Sequence, residues 1–200
     1  MGKLYVIRHS EVLVQPELAP EQWRLSDAGR ILAKTLSEEE QWSDVRLVYH
    51  SPQPKAQETA SILAGEIGVP VKEVQGLQEL SMNTGFLSPA EFRQRVGDYL
   101  SGRPDPDFEK YGEAMLRIVG TFQDIVRELN GGSGVVVSHG RILSVFFSYL
   151  LGRRITVDEW QSMKFPELSV IDINTWRIER GFLAQVKPKS AVDANVSDSR

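Results

Sequence analysis

The chain has 200 residues, 41% hydrophobic and 25% charged, with a formal net charge of −4 at pH 7, three histidines and no cysteine. That length suits one domain with a substantial core, and the mild acidity makes nucleic acid a poor partner, since an anionic ligand must then be attracted by a local cluster of cations. The absence of cysteine excludes a disulfide framework and a thiolate metal site, the histidines are too scattered to suggest zinc, and no run of about 18 apolar residues is present to cross a membrane.

Met1-Gly2-Lys3 leads directly into an apolar run, which leaves no signal peptide and reads as a cytoplasmic protein. Leu4, Tyr5, Val6 and Ile7 suit a strand covered on both faces in a parallel sheet, with Arg8 and His9 at its C-terminal edge. Open α/β sheets gather their ligands along that edge. A guanidinium there offers a fork of donors for phosphate or carboxylate, and an imidazole can act as nucleophile or proton carrier. After a polar loop, Ser26 can cap a helix whose Ile31, Leu32 and Leu36 share an apolar face. Val45 to Tyr49 is a second strand, ending in His50-Ser51-Pro52. Pro54 opens a helix to about Gly65, and Val71 to Val74 makes a third strand. The order is so far β, α, β, α, β, with connections long enough for right-handed crossovers.

The middle of the chain breaks this rhythm. Ser88, Pro89 and Glu91 form a helix start, Gly102 to Asp107 looks like an exposed turn, and residues 81–107 read as a flap inserted over the strand ends to select substrates. A long amphipathic helix should run from about Phe108 to Leu129. The opening pattern then returns: Gly134 to Val137 is apolar, and Ser138-His139-Gly140-Arg141 stands at its end. A helix from Ile142 to Leu151 would set His139 near a helix N-terminus, where N–H groups and the dipole favour an anion. Ser169–Ile173 and Trp176–Glu179 read as a hairpin, and residues 187–200 as a flexible tail. The predicted domain is residues 1–186.

Two apolar strands far apart in sequence each deliver a histidine to one rim of a parallel sheet. With Arg8 beside them and Lys55 entering after the second strand, these donors would suit a phosphoryl group, whose charge spreads over three oxygens in transfer. The plainer reading is that both histidines cap strand ends through backbone carbonyls.

LYVIRHSE, LSDAG, SPQPKAQETA, LQEL and VVVSHG, in that order, resemble the histidine phosphatase superfamily (branch 1), the phosphoglycerate mutase-like proteins, over roughly residues 3–183. The resemblance implies a three-layer α/β/α sandwich with a mostly parallel central sheet, no metal, no cofactor, a phosphohistidine intermediate and a small phosphate ester as partner. It makes His9 the nucleophile, assigns the phosphoryl oxygens to Arg8 and His139, with Ser10, Lys55 and Gly140 completing the phosphate site, and makes Glu79 the acid, a carboxyl kept protonated in a cation-poor corner. Glu11 is the rival acid or a loop-orienting residue. The sequence departs from the family pattern at Ser10, where most members have glycine, and at Lys55, where they have an arginine whose planar fork a lysine lacks. Loss of one such donor costs about 10² to 10³ in rate, which predicts a slower but active enzyme. His50 rims the site or is solvated, Arg24 and Arg141 either extend the anionic pocket or are surface charges, and Trp23, Phe86 and Phe92 line the flap or pack in the core. A metal-independent phosphatase is the primary reading, a mutase the runner-up, and a non-catalytic phospholigand-binding protein the third. Oligomeric state and natural substrate are left open.

Overall fold

The computed structural model describes residues 2–85 and 87–184. Six strands form one sheet: β1 (Lys3–Arg8), β2 (Val45–His50), β3 (Val71–Glu73), β4 (Ser133–Ser138), β5 (Glu167–Asp172) and β6 (Ile178–Arg180). Their spatial order is β3-β2-β4-β1-β5-β6. The first four run parallel, and β5 pairs antiparallel with both of its neighbours. Helices cover both faces: α1 (Asp27–Glu39), α2 (Pro54–Ile67), α3 (Pro89–Ser101), α4 (Tyr111–Leu129), α5 (Gly140–Leu151) and α6 (Val157–Ser162).

Alternation along β1 splits the core in two, because successive strand side chains leave opposite faces of the sheet. Leu4 and Val6 join Tyr49, Val136 and the apolar faces of α4 and α5. Tyr5 and Ile7 join Val48, Val135 and Val137 against α2. The tightest aromatic contact of the larger cluster lies between α4 and α5, where Phe122 and Phe146 stack with ring centres 3.8 Å apart. Both rings are fully buried.

Several expectations are corrected. The face that α1 buries is Gly29, Ala33 and Ser37, while Ile31 and Leu32 are exposed. The loop after β1 requires a glycine at position 29, because a Cβ there would lie 2.1 Å from the Glu11 carbonyl oxygen. α4 starts at Tyr111 and not at Phe108, whose ring is buried against Tyr99 of α3. The middle segment is more than a cover: α3 begins with the predicted Ser88–Glu91 capping box and sends Val96, Tyr99 and Leu100 into the core. Trp176 falls in the β5–β6 turn with φ 56°, not in a strand. That turn is held by Asp172, whose Oδ1 accepts from the Asn174 and Thr175 amides and the Thr175 hydroxyl. The short α6 was not predicted, although Thr156 and Glu159 carry its capping box openly. The expected tail at 187–200 lies outside the described residues.

These packing differences set a stability contrast measurable by urea unfolding. Phe146→Ala removes a stacked, buried ring and is expected to cost about 3–5 kcal/mol. Ile31→Gln, on the exposed side of α1, should change stability by no more than about 0.5 kcal/mol.

Candidate active site

The parallel pairing of β1 with β4 places Arg8 opposite Ser138, so the next residue of each strand is a histidine. The His9 amide donates to the Ser138 carbonyl at 2.9 Å, and the two imidazole centres stand 5.1 Å apart. Both side chains are buried. His9 Nδ1 lies 2.8 Å from the Ser10 carbonyl. A carbonyl only accepts, so Nδ1 carries the proton and Nε2 keeps its lone pair. Burial, with Lys55 and Arg8 nearby, pushes the His9 pKa down to about 3. The ring is therefore neutral across the physiological range.

His139, at the start of α5, is held through Nε2, which lies 2.7 Å from Ser51 Oγ. Its Nδ1 is buried with no partner among the described residues. Burial and the neighbouring His9, Lys55, Arg141 and Arg8 keep it neutral as well. Ser51 is fully buried and its hydroxyl has no other acceptor among the described residues, so its proton is directed to His139 Nε2. That tautomer puts a hydrogen on Nδ1.

Arg8 is aimed by a segment that sequence reasoning missed. Its Nη1 donates to the Met163 carbonyl at 2.6 Å, and its guanidinium carbon lies 3.4 Å from the Phe165 ring centre. Nothing in the sequence around Phe165 marks it, because the contact spans more than 150 residues. Gly140 makes room for Arg8: a Cβ there would lie 2.9 Å from Arg8 Nε. Burial lowers the Arg8 pKa to about 10, which leaves it charged at neutral pH. Lys55 sits in the first turn of α2, its Nζ donating to the Pro20 carbonyl at 2.7 Å and lying 5.9 Å from the Trp23 ring centre. Burial brings its pKa down to about 8.

Glu79 reaches the site because Leu77 and Leu80 are buried on either side of it and the Ser138 hydroxyl donates to the Leu77 carbonyl at 2.8 Å. The corner is rich in donors, contrary to expectation. The Glu79 carboxylate accepts the amides of Leu80, Arg141 and Ile142 and lies 3.2 Å from Arg141 Nε. Burial pushes its pKa up, yet Arg141 and the three amides outweigh that and hold it below the usual carboxylate range. The anion predicted at the α5 N-terminus is thus Glu79 itself. Arg141, weighed as a surface charge, is buried.

The remaining candidates separate cleanly. Ser10 turns its hydroxyl to the Gly29 carbonyl at 2.7 Å and gives its amide to Thr59 Oγ1 at 3.1 Å, so neither donor faces a phosphate. Both donors are used within the protein. Glu11 accepts from the Ser26 hydroxyl at 2.8 Å and orients the loop. His50 is buried with Nδ1 on the Ser51 carbonyl, and is not solvated. Arg24 is an exposed partner of Glu58. Trp23 is half-buried, Phe92 packs against Trp160, and Phe86 lies outside the described residues. Among the described residues no group of three or more His, Asp or Glu side chains is placed to hold a metal ion.

The sequence profile of the histidine phosphatase superfamily (branch 1) matches residues 4–184. No curated protein sequence gives a significant match. Similar solved structures include YhfR of Bacillus stearothermophilus, with TM-score 0.74, 21% identity, and coverage of 89% of this chain and 94% of that one. A phosphoserine phosphatase variant of Entamoeba histolytica in complex with phosphoserine superposes with TM-score 0.71 at 18% identity, covering 92% and 98% of the two chains. A mycobacterial glucosyl-3-phosphoglycerate phosphatase gives TM-score 0.68 at 18% identity, covering 94% and 99%. At these identities the likeness is one of fold.

Two predictions follow from the crowding and burial of the cations. Gly140→Ala should push Arg8 aside and lower kcat/KM about 10²-fold while the melting temperature changes little. Because Lys55 is charged only below about pH 8, inhibition by inorganic phosphate should weaken by up to about tenfold per unit as pH rises beyond that point. Lys55→Arg, which stays charged, should flatten this dependence.

Proposed function

The chain belongs to the histidine phosphatase superfamily (branch 1), and we propose that within it this protein is a phosphomonoesterase that moves phosphate from a small organic ester to His9 and then to water. The observation that carries this reading is the His9 tautomer: Nδ1 is bound to the Ser10 carbonyl, which leaves Nε2 unprotonated and neutral beside two cations. A neutral nitrogen nucleophile is not repelled by a phosphate dianion.

In the proposed reaction Nε2 of His9 attacks phosphorus as the ester P–O bond breaks on the opposite side. Arg8, Lys55 and His139 Nδ1–H take up the charge on the equatorial oxygens, fixed in place before the reaction so that little reorganisation is needed. Gly140 contributes by letting Arg8 approach. Glu79, ionised at rest, takes a proton from solvent and passes it to the leaving oxygen, and in the second step takes one from the water that attacks the phosphohistidine. No metal takes part. Solved neighbours that are themselves phosphatases of phosphoserine and of glucosyl-3-phosphoglycerate support hydrolysis of a small ester.

The test is hydrolysis of p-nitrophenyl phosphate in excess EDTA by the wild type and by His9→Ala. Turnover that resists the chelator and falls about 10³-fold or more in the variant is the expected result. Equal turnover in both removes His9 as nucleophile. Isomerised phosphoglycerate without free phosphate would identify a mutase instead.

A further inference from the structure

Strand β5 runs antiparallel to β1, and their register pairs Glu167 with Arg8. The residues that lead into β5 therefore pass the end of β1, on the rim where Arg8 and His9 stand. This lead-in is held on both sides. The Met163 amide bonds back to the Trp160 carbonyl at the end of α6, and the Lys164 amide donates to Glu167 Oε2 at 3.0 Å. Between these anchors the Met163 carbonyl accepts from Arg8 Nη1, and the Phe165 ring lies against the guanidinium with its centre 3.4 Å from the carbon.

Arg8 and Arg141 differ in what compensates their charge. Arg141 has the Glu79 carboxylate at 3.2 Å, while among the described residues no carboxylate forms an ion pair with Arg8, on which Glu79 and Glu167 act only from a distance. A carboxylate counterion would occupy the in-plane N–H groups that a phosphoryl oxygen needs. An aromatic face meets the cation through its π cloud and leaves those groups free. Nη1 is already given to the Met163 carbonyl, and Nε is buried with no partner among the described residues. The Nε–Nη2 edge is what remains to take two oxygens. Phe165 is itself 38% exposed and belongs to neither core cluster, which separates it from the rings that hold the fold. Its centre is also 5.5 Å from that of His9, but His9 has anchors of its own in the Ser10 and Ser138 carbonyls.

We propose that Phe165 is a positioning residue, whose ring compensates the Arg8 charge from its face and, with the Met163 carbonyl, turns the Nε–Nη2 edge toward the phosphoryl group. The inference rests on the phosphatase reading above in taking a phosphoryl group as what that edge meets. Phe165 touches neither the phosphorus nor the leaving group in this scheme; its whole effect passes through Arg8.

The experiment measures kcat/KM on p-nitrophenyl phosphate and glycerol 3-phosphate, whose leaving groups are aromatic and aliphatic, together with binding of inorganic phosphate by calorimetry. The proteins are the wild type, Phe165→Leu, Phe165→Tyr, Arg8→Ala and the double variant Arg8→Ala/Phe165→Leu, each checked for folding by its melting curve. Phe165→Leu should lower kcat/KM about 10- to 30-fold on both esters alike, the size of a desolvated cation–π contact, and should weaken phosphate binding. Phe165→Tyr, which keeps the ring face, should recover most of the loss. In the Arg8→Ala background the further change Phe165→Leu should cost less than about threefold, because a residue that acts through another is silent once that other is gone. An unchanged kcat/KM in Phe165→Leu, a full penalty that persists in Arg8→Ala, or a penalty on only one of the two esters overturns the inference; the last would mean that the ring touches the leaving group. If the wild type releases phosphate from neither ester, the phosphatase reading falls and phosphate binding decides the role of Phe165. A loss in Phe165→Leu that disappears in the Arg8→Ala background then upholds it, and unchanged binding, or no binding by the wild type, overturns it.

Discussion

The parallel register of β1 and β4 is the constraint on which the rest of the site depends. Residues 8 and 138 pair directly, so the chain delivers His9 and His139 to one edge with no freedom to slide. A slip of one residue would turn each strand's side chains to the opposite face and dismantle both halves of the core. Burying Val135, Val136 and Val137 on the two faces is therefore what fixes the distance between the histidines. Position at the site is a product of packing far below it.

Burial also decides the charge states. Two imidazoles held among Arg8, Lys55 and Arg141 stay neutral, because a further positive charge in that dry corner is disfavoured by desolvation and by its neighbours together. Backbone carbonyl and serine hydroxyl then select which nitrogen carries the proton. The same α5 N-terminus that carries His139 holds Glu79 ionised through the Arg141 and Ile142 amides. His139 and Glu79, the proposed oxygen-binding group and acid, are thus coupled through one helix start, with His9, the proposed nucleophile, beside them.

Much of this was legible in the sequence. Apolar runs ending in Arg8-His9 and Ser138-His139 announced the strands and the rim, and capping residues at Ser26 and Ser88 marked helix starts correctly. The failures have physical causes. Apolar periodicity pointed α1 at Ile31 and Leu32, but close approach to the Glu11 backbone demands glycine, and tight packing overrides periodicity. Ser10 drew attention as a departure from the family pattern beside the proposed nucleophile, while its partners, Gly29 and Thr59, come from two other elements that no local pattern reveals. Glu79 was recognised by position but its environment was not, because Arg141 lies 62 residues away in the chain. Phe165 had no signal beyond composition, and Ser51 stood in a recognised motif with no role attached to it. Identity of the site residues is written locally; their protonation and aim are written in tertiary contacts.

The central claim, that His9 Nε2 is the atom that carries phosphate, is tested most directly by rapid acid-free quenching of the enzyme with a radiolabelled phosphate ester, followed by mapping of the labelled peptide. The account predicts an alkali-stable, acid-labile label on the peptide containing His9, formed and discharged at the rate of turnover. Label on another residue, or turnover with no labelled protein at any time, would contradict it.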